Sequence, residues 1–459
     1  MKRKRFLSLF LALLMSLLLV PSAFAAGDDG PVLPEEPEIL AKAALLMDYN
    51  TGAVVYAQNE HEELYPASLT KIMTALLVLD AVEAGKLTLD QEVTASASAL
   101  DGLPSDGSTA NIKAGETMSV RNLLYCMLVV SANEACDILA EEVAGSVSAF
   151  VEKMNEKAEA LGCENTHFVN PNGLHDPQHY TSAWDMYLIT RAAMEYEEFM
   201  VIADTASYTV PATNMSEERK LYTTNHLLSN WRVIGYRDTR AHGIKTGSTD
   251  DAGYCLVSSA MKGSLHFVSV ILGAERVVTD GVGDIRSFSH TSRMFDYGFE
   301  NFTYKTIIDE MEAIQEVPVE LSKIDHVTVY PAETKEVLIP KGLDGEDLDR
   351  TIVLQDPVEA PVAKGQKLGT LELSYDGVIY ASIDLLAGFD VEASKLMTFW
   401  RDVKEFVAKP IVKIVAIAIL VLLVVLVLVK LIFGRRRYRY GRSVGRRGRS
   451  SYHGRRRRR

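Results

Sequence analysis

The order of apolar and polar positions between residues 38 and 303 predicts strands at both ends of this region and helices in its middle. Residues 42–58 combine two β-rich apolar runs with the turn sequence Asn50-Thr51-Gly52, which indicates a hairpin. Residues 253–260 and 264–273 form a second pair of β-rich apolar runs and predict a second hairpin. Strands from both ends can join one antiparallel sheet with helices packed against it, so we predict an α/β sandwich.

The middle of the region has the periodicity of helices. From Ser68 to Glu83 apolar residues occupy nearly every face of the predicted helix, and Gly85 follows as a stop signal. A helix that is apolar on all sides is buried, so we place this one at the centre of the domain. Residues 119–143 and 146–161 predict two further helices.

A different pattern begins after about residue 304. Short runs of alternating apolar residues are separated by turn residues, which predicts a small all-β domain over residues 304–393. Residues 394–410 are amphipathic and carry Phe399, Trp400 and Phe406, as expected of a juxtamembrane segment that lies in a membrane interface.

Two segments at the N-terminus lie outside the predicted domains. Residues 1–25 combine a basic start, an apolar run and an Ala-Phe-Ala site ending at Ala25, which predicts a secretory signal peptide cut after that residue. An uncleaved anchor helix is the alternative. Residues 26–37 are acidic and contain three prolines, which suits a linker.

The apolar run over residues 411–433 predicts one transmembrane helix. Lys413 and Lys430 interrupt it near its ends, where their side chains can reach the headgroups, and its length suffices for a bilayer core of about 30 Å. A buried core helix is the alternative. Thirteen arginines follow within residues 434–459. This basic tail predicts a single-pass membrane protein with a cytoplasmic C-terminus and an extracytoplasmic catalytic domain, rather than a nucleic-acid-binding arm.

Composition limits the partners that the region between the predicted signal peptide and the predicted transmembrane helix can bind. The chain has 48 Lys and Arg against 61 Asp and Glu, a net charge of −13, although its tail is strongly basic. An acidic outer surface argues against non-specific binding of nucleic acid. The four cysteines lie in apolar stretches, which favours buried free thiols over disulfide pairs; they are Cys126, Cys136, Cys163 and Cys255.

The candidate nucleophile is Ser68. It lies at the start of the buried helix, and Lys71 follows three residues later, so the two side chains share one helical face. A serine hydroxyl needs a base, and Lys71 can serve only as a neutral amine, which burial and the nearby positive charge of Lys245 would favour. The alternatives are a helix cap for Ser68 and a surface position for Lys71.

The segment Ser131-Ala132-Asn133 supplies a second hydroxyl and an amide. It follows an apolar helical run, so it can enter a cleft from a loop between two helices. Ser131 can relay a proton to a leaving amine, and Asn133 can hold a substrate amide. Taken alone, the segment is equally typical of an ordinary helix cap.

The segment Lys245-Thr246-Gly247-Ser248 leads into the second hairpin and is expected on an edge strand. The side chains of Lys245 and Thr246 can bind a substrate carboxylate. Gly247 lets a substrate backbone approach closely, and the backbone N–H of Ser248 can help to hold an oxyanion. A simple turn is the alternative.

The chain offers no clear metal site. His175 and His179 are spaced like metal ligands, but Pro177 interrupts any helix between them and no third ligand is evident. We therefore expect neither a metal nor a cofactor. The sequence also has no Gly-x-Ser-x-Gly segment, which an ordinary serine hydrolase would carry.

The three motifs occur along the chain in the order 68–71, 131–133 and 245–247. Together with residues 65–74 and 168–174, they resemble those of the low-molecular-weight penicillin-binding proteins, the serine-type D-alanyl-D-alanine carboxypeptidases. The resemblance extends from about residue 38 to residue 391. It implies the fold of the serine β-lactamases and penicillin-binding proteins for residues 38–303, followed by the C-terminal β domain of that family.

The resemblance also implies a reaction. Ser68 would be acylated by the penultimate D-Ala of a peptidoglycan stem peptide, terminal D-Ala would leave, and water would hydrolyse the acyl-enzyme. Lys71 would be the base, Ser131 and Asn133 the second element, and Lys245 the carboxylate anchor. A family arginine near the carboxylate is matched to Arg286. β-Lactam antibiotics would trap Ser68 as a slow ester.

Other activities remain open at this point. A DD-endopeptidase that cleaves peptidoglycan crosslinks would use the same residues. A β-lactamase is also possible, although no Glu-x-x-Leu-Asn element for fast deacylation is present. A non-catalytic penicillin sensor is a third class, and the intact pair of Ser68 and Lys71 argues against it.

Overall fold

The computed structural model describes residues 33–279, 281–355 and 357–433. The predicted signal peptide, residues 26–32 of the predicted linker and the arginine-rich tail lie outside the described residues. The described chain forms two compact units. The first comprises residues 33–312, 333–352 and 371–383, and the second comprises residues 313–332, 353–370 and 384–433.

The strands follow one another along the chain in this order: β1 (Ala43–Asp48), β2 (Val54–Gln58), β3 (Glu92–Thr94), β4 (Thr117–Ser119), β5 (Ser207–Val210), β6 (Arg219–Tyr222), β7 (Ala241–Thr249), β8 (Gly253–Lys262), β9 (Leu265–Ala274), β10 (Arg276–Thr279), β11 (Val282–Ile285), β12 (Phe302–Ile308), β13 (Gln315–Glu320), β14 (His326–Pro331), β15 (Lys335–Pro340), β16 (Asp349–Leu354), β17 (Val358–Glu359), β18 (Lys367–Tyr375) and β19 (Val378–Ala387).

The α-helices are α1 (Lys71–Glu83), α2 (Val120–Val129), α3 (Asn133–Ala144), α4 (Val147–Ala160), α5 (Ala183–Met194), α6 (Glu197–Ala203), α7 (Arg286–Asn301), α8 (Lys395–Ala408) and α9 (Pro410–Phe433). Two short 3-10 helices, Ala67–Thr70 and Ser98–Leu100, complete the helical elements of the described residues.

Five strands of the first unit form an antiparallel sheet in the order β2-β1-β9-β8-β7. The two predicted hairpins are present as β1–β2 and β8–β9, and β1 pairs with β9 to join them. Strand β7, which carries Lys245, is an edge strand, as its sequence predicted. One of its sides is therefore free to face a cleft.

Strand β1 is buried along its whole length and contributes to two hydrophobic cores. Successive side chains of a strand point to opposite faces of its sheet. Ala43, Leu45 and Met47 belong to the core that contains α1 to α6, whereas Ala44 and Leu46 belong to the core that contains α7. Helices thus cover both faces of the sheet, which is the predicted α/β sandwich.

Helix α1 is the central helix of this sandwich. Its first nine residues, 71–79, are all buried, because apolar side chains occupy every face as the sequence predicted. The predicted start at Ser68 is a separate 3-10 turn, Ala67–Thr70, in which Ala67 has a φ of +48°. The turn runs directly into α1 at Lys71, and Ser68 lines the cleft while the side chains that follow are buried.

The single helix predicted over residues 119–143 is wrong, whereas the loop between two helices that was expected at the Ser131 segment is present. The structure has two helices there, α2 and α3, with a break at residues 130–132. Ser131 adopts a φ of +65°, a left-handed conformation that an α-helix cannot contain. The break brings Ser131 out of the helical ladder and starts α3 at Asn133, so both motif residues lie at one junction.

The region predicted as all-β contains β12 to β19 and no α-helix among its described residues. Within the first unit, β12 pairs with β15, and within the second unit, β13 pairs with β14 and with β17. The second unit also contains α8, which coincides with the predicted juxtamembrane segment. In the described part of the chain, α9 is the helix long and apolar enough to cross a membrane.

Candidate active site

Lys71 lies at the buried centre of the candidate site. The side chain is fully buried. Its amine nitrogen Nζ lies 2.8 Å from Ser68 Oγ, 2.9 Å from Asn133 Oδ1 and 2.5 Å from the backbone carbonyl oxygen of Asn172. The structure thus brings two of the predicted motifs together around one nitrogen atom.

The partners of Lys71 fit a neutral amine. The Asn172 carbonyl oxygen and the Asn133 amide oxygen can only accept, so in a neutral amine they take both N–H bonds and the lone pair faces the Ser68 hydroxyl, whereas an ammonium donates to all three oxygens. Burial lowers the pKa of Lys71, while Cys136, Asp137 and Glu134 oppose part of that fall. The burial that the sequence predicted for this lysine is therefore present.

Lys245 is a second buried lysine, on the edge strand β7. Its Nζ donates to Ser131 Oγ over 3.0 Å and to the backbone oxygen of Thr246 over 2.9 Å. Burial lowers the pKa of Lys245 well below its ordinary value, and the charge of Lys71 lowers it further. Cys136 opposes part of this fall.

Two glycines enclose the turn that carries Ser68. Gly173 has a φ of +82°, and a Cβ atom there would lie 1.9 Å from the carbonyl oxygen of Ala67. A Cβ atom on Gly247 would lie 2.8 Å from the carbonyl oxygen of Pro66 and 3.1 Å from the backbone nitrogen of Ser68. Gly247 was predicted to admit a substrate backbone. Its close neighbours also include the turn itself, so β7 runs directly beside the Ser68 N–H.

His179 packs behind the same turn as a neutral side chain. Its Nε2 lies 2.8 Å from Thr70 Oγ1, whose hydroxyl donates to the carbonyl oxygen of Ala67. The backbone N–H of Val169 donates to Nδ1, so the ring proton is on Nε2. Burial lowers the pKa of His179 to about 4. In the part of the chain that the structure describes, no three His, Cys, Asp or Glu side chains are grouped to hold a metal ion.

The cleft beside Ser68 has a volume of about 380 Å³. Predicted site residues that line it are Ser68, Ser131, Thr246, Gly247 and Ser248, and further lining residues include Ser108, Thr224, His226, Arg232 and Ser287. Thr246 Oγ1 lies 2.6 Å from Thr224 Oγ1, so two hydroxyl groups meet at one wall. The amine nitrogens of both lysines lie behind this surface.

Arg286 is the predicted site residue that the structure places elsewhere. Its Nη1 lies 3.7 Å from Glu275 Oε2, and it does not line the cleft, whereas the next residue, Ser287, does. Adjacent residues of a helix point about 100° apart, so an offset of one residue turns a side chain away from a cleft. The assignment of Arg286 to the substrate carboxylate is therefore corrected.

Two residues of the site were missed by sequence reasoning. Asn172 accepts a hydrogen bond from Lys71, and its own Nδ2 lies 3.2 Å from both carboxylate oxygens of Asp137. The segment 168–174 had marked this loop as part of the family resemblance, but it gave no role to a backbone oxygen. Arg232 lies in the loop before β7, and no local pattern distinguished it.

The four cysteines are free thiols in the structure. Cys126, Cys136 and Cys255 are buried, and Cys163 is half-buried. Burial raises the pKa of Cys126, Cys136 and Cys163 to about 12 and that of Cys255 to about 11. These thiols are protonated at neutral pH and therefore behave as small apolar side chains.

Comparison with known proteins assigns both parts of the chain to families. The family model described as D-alanyl-D-alanine carboxypeptidase matches residues 31–276. The model described as penicillin-binding protein 5, C-terminal domain, matches residues 302–393. D-alanyl-D-alanine carboxypeptidase DacF of Bacillus subtilis is 33% identical over 396 residues, which cover 86% of this chain and 97% of the relative. DacC of Escherichia coli is 33% identical over 366 residues, covering 78% and 85%.

Solved structures agree with these assignments. Penicillin-binding protein 5 from Haemophilus influenzae superposes with a TM-score of 0.64 and 32% identity, covering 78% of this chain and 99% of that one. The Streptomyces K15 DD-transpeptidase has a TM-score of 0.52 and 29% identity, covering 58% and 100%. The predicted fold of the penicillin-binding type, with an all-β C-terminal domain, is confirmed. The chain therefore belongs to the D-alanyl-D-alanine carboxypeptidase family, and it is a serine-type hydrolase.

Proposed function

We propose that Ser68 and Lys71 are the nucleophile and the base with which this enzyme removes terminal D-Ala from peptidoglycan stem peptides. The observation that carries the assignment is the 2.8 Å contact between Lys71 Nζ and Ser68 Oγ. Because the other two partners of Nζ only accept, the lone pair of a neutral Lys71 faces the serine hydroxyl.

Acylation begins when Lys71 takes the hydroxyl proton of Ser68. The Oγ atom attacks the carbonyl carbon of the penultimate D-Ala, and the bond to the nitrogen of the terminal D-Ala breaks. Ser131, held by a hydrogen bond from Lys245 Nζ over 3.0 Å, hands its proton to the leaving nitrogen and is reprotonated by the Lys71 ammonium, which returns Lys71 to its neutral form. The amine leaves as free D-Ala, and Asn133 holds the substrate amide near Lys71.

The oxyanion of the tetrahedral intermediate is held by two backbone N–H groups. Ser68 lies in the first turn of a 3-10 helix, where backbone N–H groups have no partner within the helix. The close approach of Gly247 to the Ser68 nitrogen brings β7 to this point, so the N–H of Ser248 supplies the second donor.

Hydrolysis of the ester by water completes the cycle. Lys71, neutral again, takes a proton from the water that attacks the acyl carbon and passes it to Ser68 Oγ as the ester bond breaks, so the free serine is regenerated. A β-lactam ring opened by Ser68 leaves no departing amine, so the ester persists. This is the basis on which we propose peptidoglycan stem peptides and β-lactams as the two ligands of the cleft.

Labelled penicillin tests the nucleophile. The parent protein should take one covalent label, and peptide mapping should find it on Ser68. Ser259 is the matched control, because it also precedes a lysine by three residues but is fully buried and donates to the backbone oxygen of His242. Ser68→Ala should lose the label and Ser259→Ala should keep it. Label on Ser259 in the parent would refute the assignment.

Defined substrates test the reaction. A peptide ending in D-Ala-D-Ala should release D-Ala, and Ser68→Ala should release none. The D-alanyl-D-alanine endopeptidase of Pseudomonas aeruginosa is 32% identical over 294 residues, so a crosslinked dimer is the informative competitor substrate. Faster cleavage of the dimer than of the linear peptide would make the protein an endopeptidase instead.

The orientation in the membrane is a separate proposal. Helix α9 is exposed along its length and carries Lys413 and Lys430 near its ends, and the arginine-rich tail follows it. We propose that α9 crosses the membrane and that the catalytic unit lies outside the cytoplasm. Protease added to intact protoplasts should then digest the catalytic unit and leave a tail epitope protected. Protection of the catalytic unit would contradict this orientation.

A further inference from the structure

The cleft needs a positive charge for its substrate, because a peptide that ends in D-Ala carries a free carboxylate. Sequence reasoning assigned that charge to Lys245 and Arg286. Lys245 is almost fully buried, and its Nζ already donates to Ser131 and to a backbone oxygen. Arg286 pairs with Glu275 and does not line the cleft. Neither side chain presents a free cation at the cleft surface.

Arg232 presents a free cation at the surface of the cleft. It lies in the loop before β7, it is exposed, and it lines the same cleft as Ser68, Ser131 and Thr246. Among the residues that the structure describes, none forms a hydrogen bond or ion pair with its guanidinium. An arginine has five N–H donors in a planar fork that matches a carboxylate. All of them are available to a ligand.

The wall beside Arg232 is built from neutral groups. His226 lines the cleft, is buried, and contacts the ring of Phe288 at 4.8 Å between centroids. Both side chains line the cleft, and burial lowers the pKa of His226 while the charge of Arg232 lowers it further, which favours a neutral histidine. The paired hydroxyl groups of Thr224 and Thr246 add neutral hydrogen-bond donors.

We propose that Arg232 binds the C-terminal carboxylate of the substrate, together with the hydroxyl of Thr246. This inference rests on the proposed carboxypeptidase function and names a specificity-determining residue for it. The guanidinium forms charge-assisted hydrogen bonds with the carboxylate and so selects peptides with a free C-terminus. Arg232 takes no part in the proton transfers at Ser68, so its role is in binding.

The test compares two arginine variants with two substrates. Arg232→Gln removes the charge at the cleft, and Arg286→Gln is the matched control, because it removes a guanidinium that pairs with Glu275. The substrates are a peptide ending in D-Ala-D-Ala and the same peptide with a C-terminal amide. Initial rates over a range of concentrations separate KM from kcat.

For the free-acid peptide, Arg232→Gln should lower kcat/KM by roughly 10- to 100-fold, mainly through KM, since hydrogen bonds to charged groups are involved. Arg286→Gln should stay within about twofold of the parent, as expected of an exposed surface pair. For the amide, Arg232→Gln should match the parent. Arg232→Lys should recover part of the loss, because it restores charge without the planar fork.

The outcomes separate this inference from the function on which it rests. Parent-like kcat/KM for Arg232→Gln on the free-acid peptide, with normal turnover by the parent, would overturn the role of Arg232 alone. An equal loss on acid and amide would also overturn it, because the effect would then be independent of the carboxylate. No release of D-Ala by the parent would refute the carboxypeptidase function instead.

Discussion

The two buried lysines of the cleft have the same side chain and nearly the same burial, but their surroundings differ. Lys71 is surrounded by acceptors and lies near the carboxyl groups of Glu134 and Asp137. Lys245 has a hydroxyl and one backbone oxygen as partners, and no carboxyl group raises its pKa. The environment, rather than the residue type, therefore decides which lysine can hold a proton.

Because of this difference, the two lysines have different roles in the reaction. Burial favours the neutral amine of Lys71, and the carboxyl groups favour its charged form, so the two influences on its pKa act in opposite directions. Lys245 is almost fully buried and already donates to Ser131 and to a backbone oxygen, so it suits the positioning of the Ser131 hydroxyl better than the binding of an anion. The need for a separate cation such as Arg232 follows from the same difference.

The substitution Lys71→Arg should have the largest effect on the roles that we assign to the two lysines. Arginine keeps the charge but cannot deprotonate in a protein, so no base faces Ser68. Acylation by labelled penicillin should be slower by roughly 10²- to 10⁴-fold, the usual contribution of a positioned base. Thermal unfolding should show that the variant is folded. A rate near that of the parent would mean that Lys71 is not the base.

Gly173→Ala should disturb the Lys71 side of the cleft through the backbone. The added methyl group would collide with the Ala67 carbonyl, and the φ of +82° would be strained, so we expect a loss of stability of about 3 kcal/mol or more. Gly145→Ala is the matched control. Gly145 has a φ of +81° but open space around it, so strain alone should cost about 1 kcal/mol. Chemical denaturation measures both, and equal losses would contradict the collision.

The sequence predicted those parts of the fold that local patterns determine. The buried α1 was predicted because nearly every face is apolar, and the edge strand β7 because it precedes a hairpin. Periodicity alone predicted one helix over residues 119–143, and only the motif segment at Ser131 indicated a loop between two helices; the φ of +65° was not predicted. Local periodicity cannot show where a continuous apolar pattern is interrupted.

The candidate site shows the same limit. Ser68, Lys71 and Lys245 belong to motifs with a characteristic spacing, so the sequence could predict that they meet in one site. Asn172 contributes a backbone oxygen, which has no residue signature. Arg232 reaches the cleft from a loop whose path depends on tertiary structure. Arg286 lies one residue before the position that lines the cleft, so its side chain points away from it.

The substitution Lys245→Arg tests the same division of roles and should have a smaller effect on acylation than Lys71→Arg. Arginine can still donate to Ser131, but it is always charged and larger than the buried lysine. We expect acylation to fall by about tenfold, mostly through kcat, because the larger guanidinium displaces the Ser131 hydroxyl while Lys71 remains intact. Separate values of kcat and KM measure this. A loss in kcat as large as that of Lys71→Arg would show that the two lysines act as one unit.

The carboxyl group of Asp137 gives the finest test, because it distinguishes the two lysine environments. Burial raises the pKa of Asp137 from 3.8 to about 7, although its bonds from Asn172 oppose the change. Folded protein thus binds more protons than unfolded protein between these values. Stability should fall as pH rises from about 4 to about 7, by at most roughly 4 kcal/mol. Asp137→Asn should remove this slope, measured by thermal unfolding at several pH values.

The same substitution should move the pH profile of acylation. Above pH 7 an ionised Asp137 favours the charged form of Lys71, so Asp137→Asn should lower the pKa of Lys71 and shift the rising limb of the acylation rate to lower pH. At neutral pH we expect about a threefold higher rate, the effect of roughly 0.6 kcal/mol. Asp90→Asn, a change at an exposed carboxylate paired with Arg121, is the control and should leave the limb in place. An unchanged limb in Asp137→Asn would show that this carboxyl group does not influence the base.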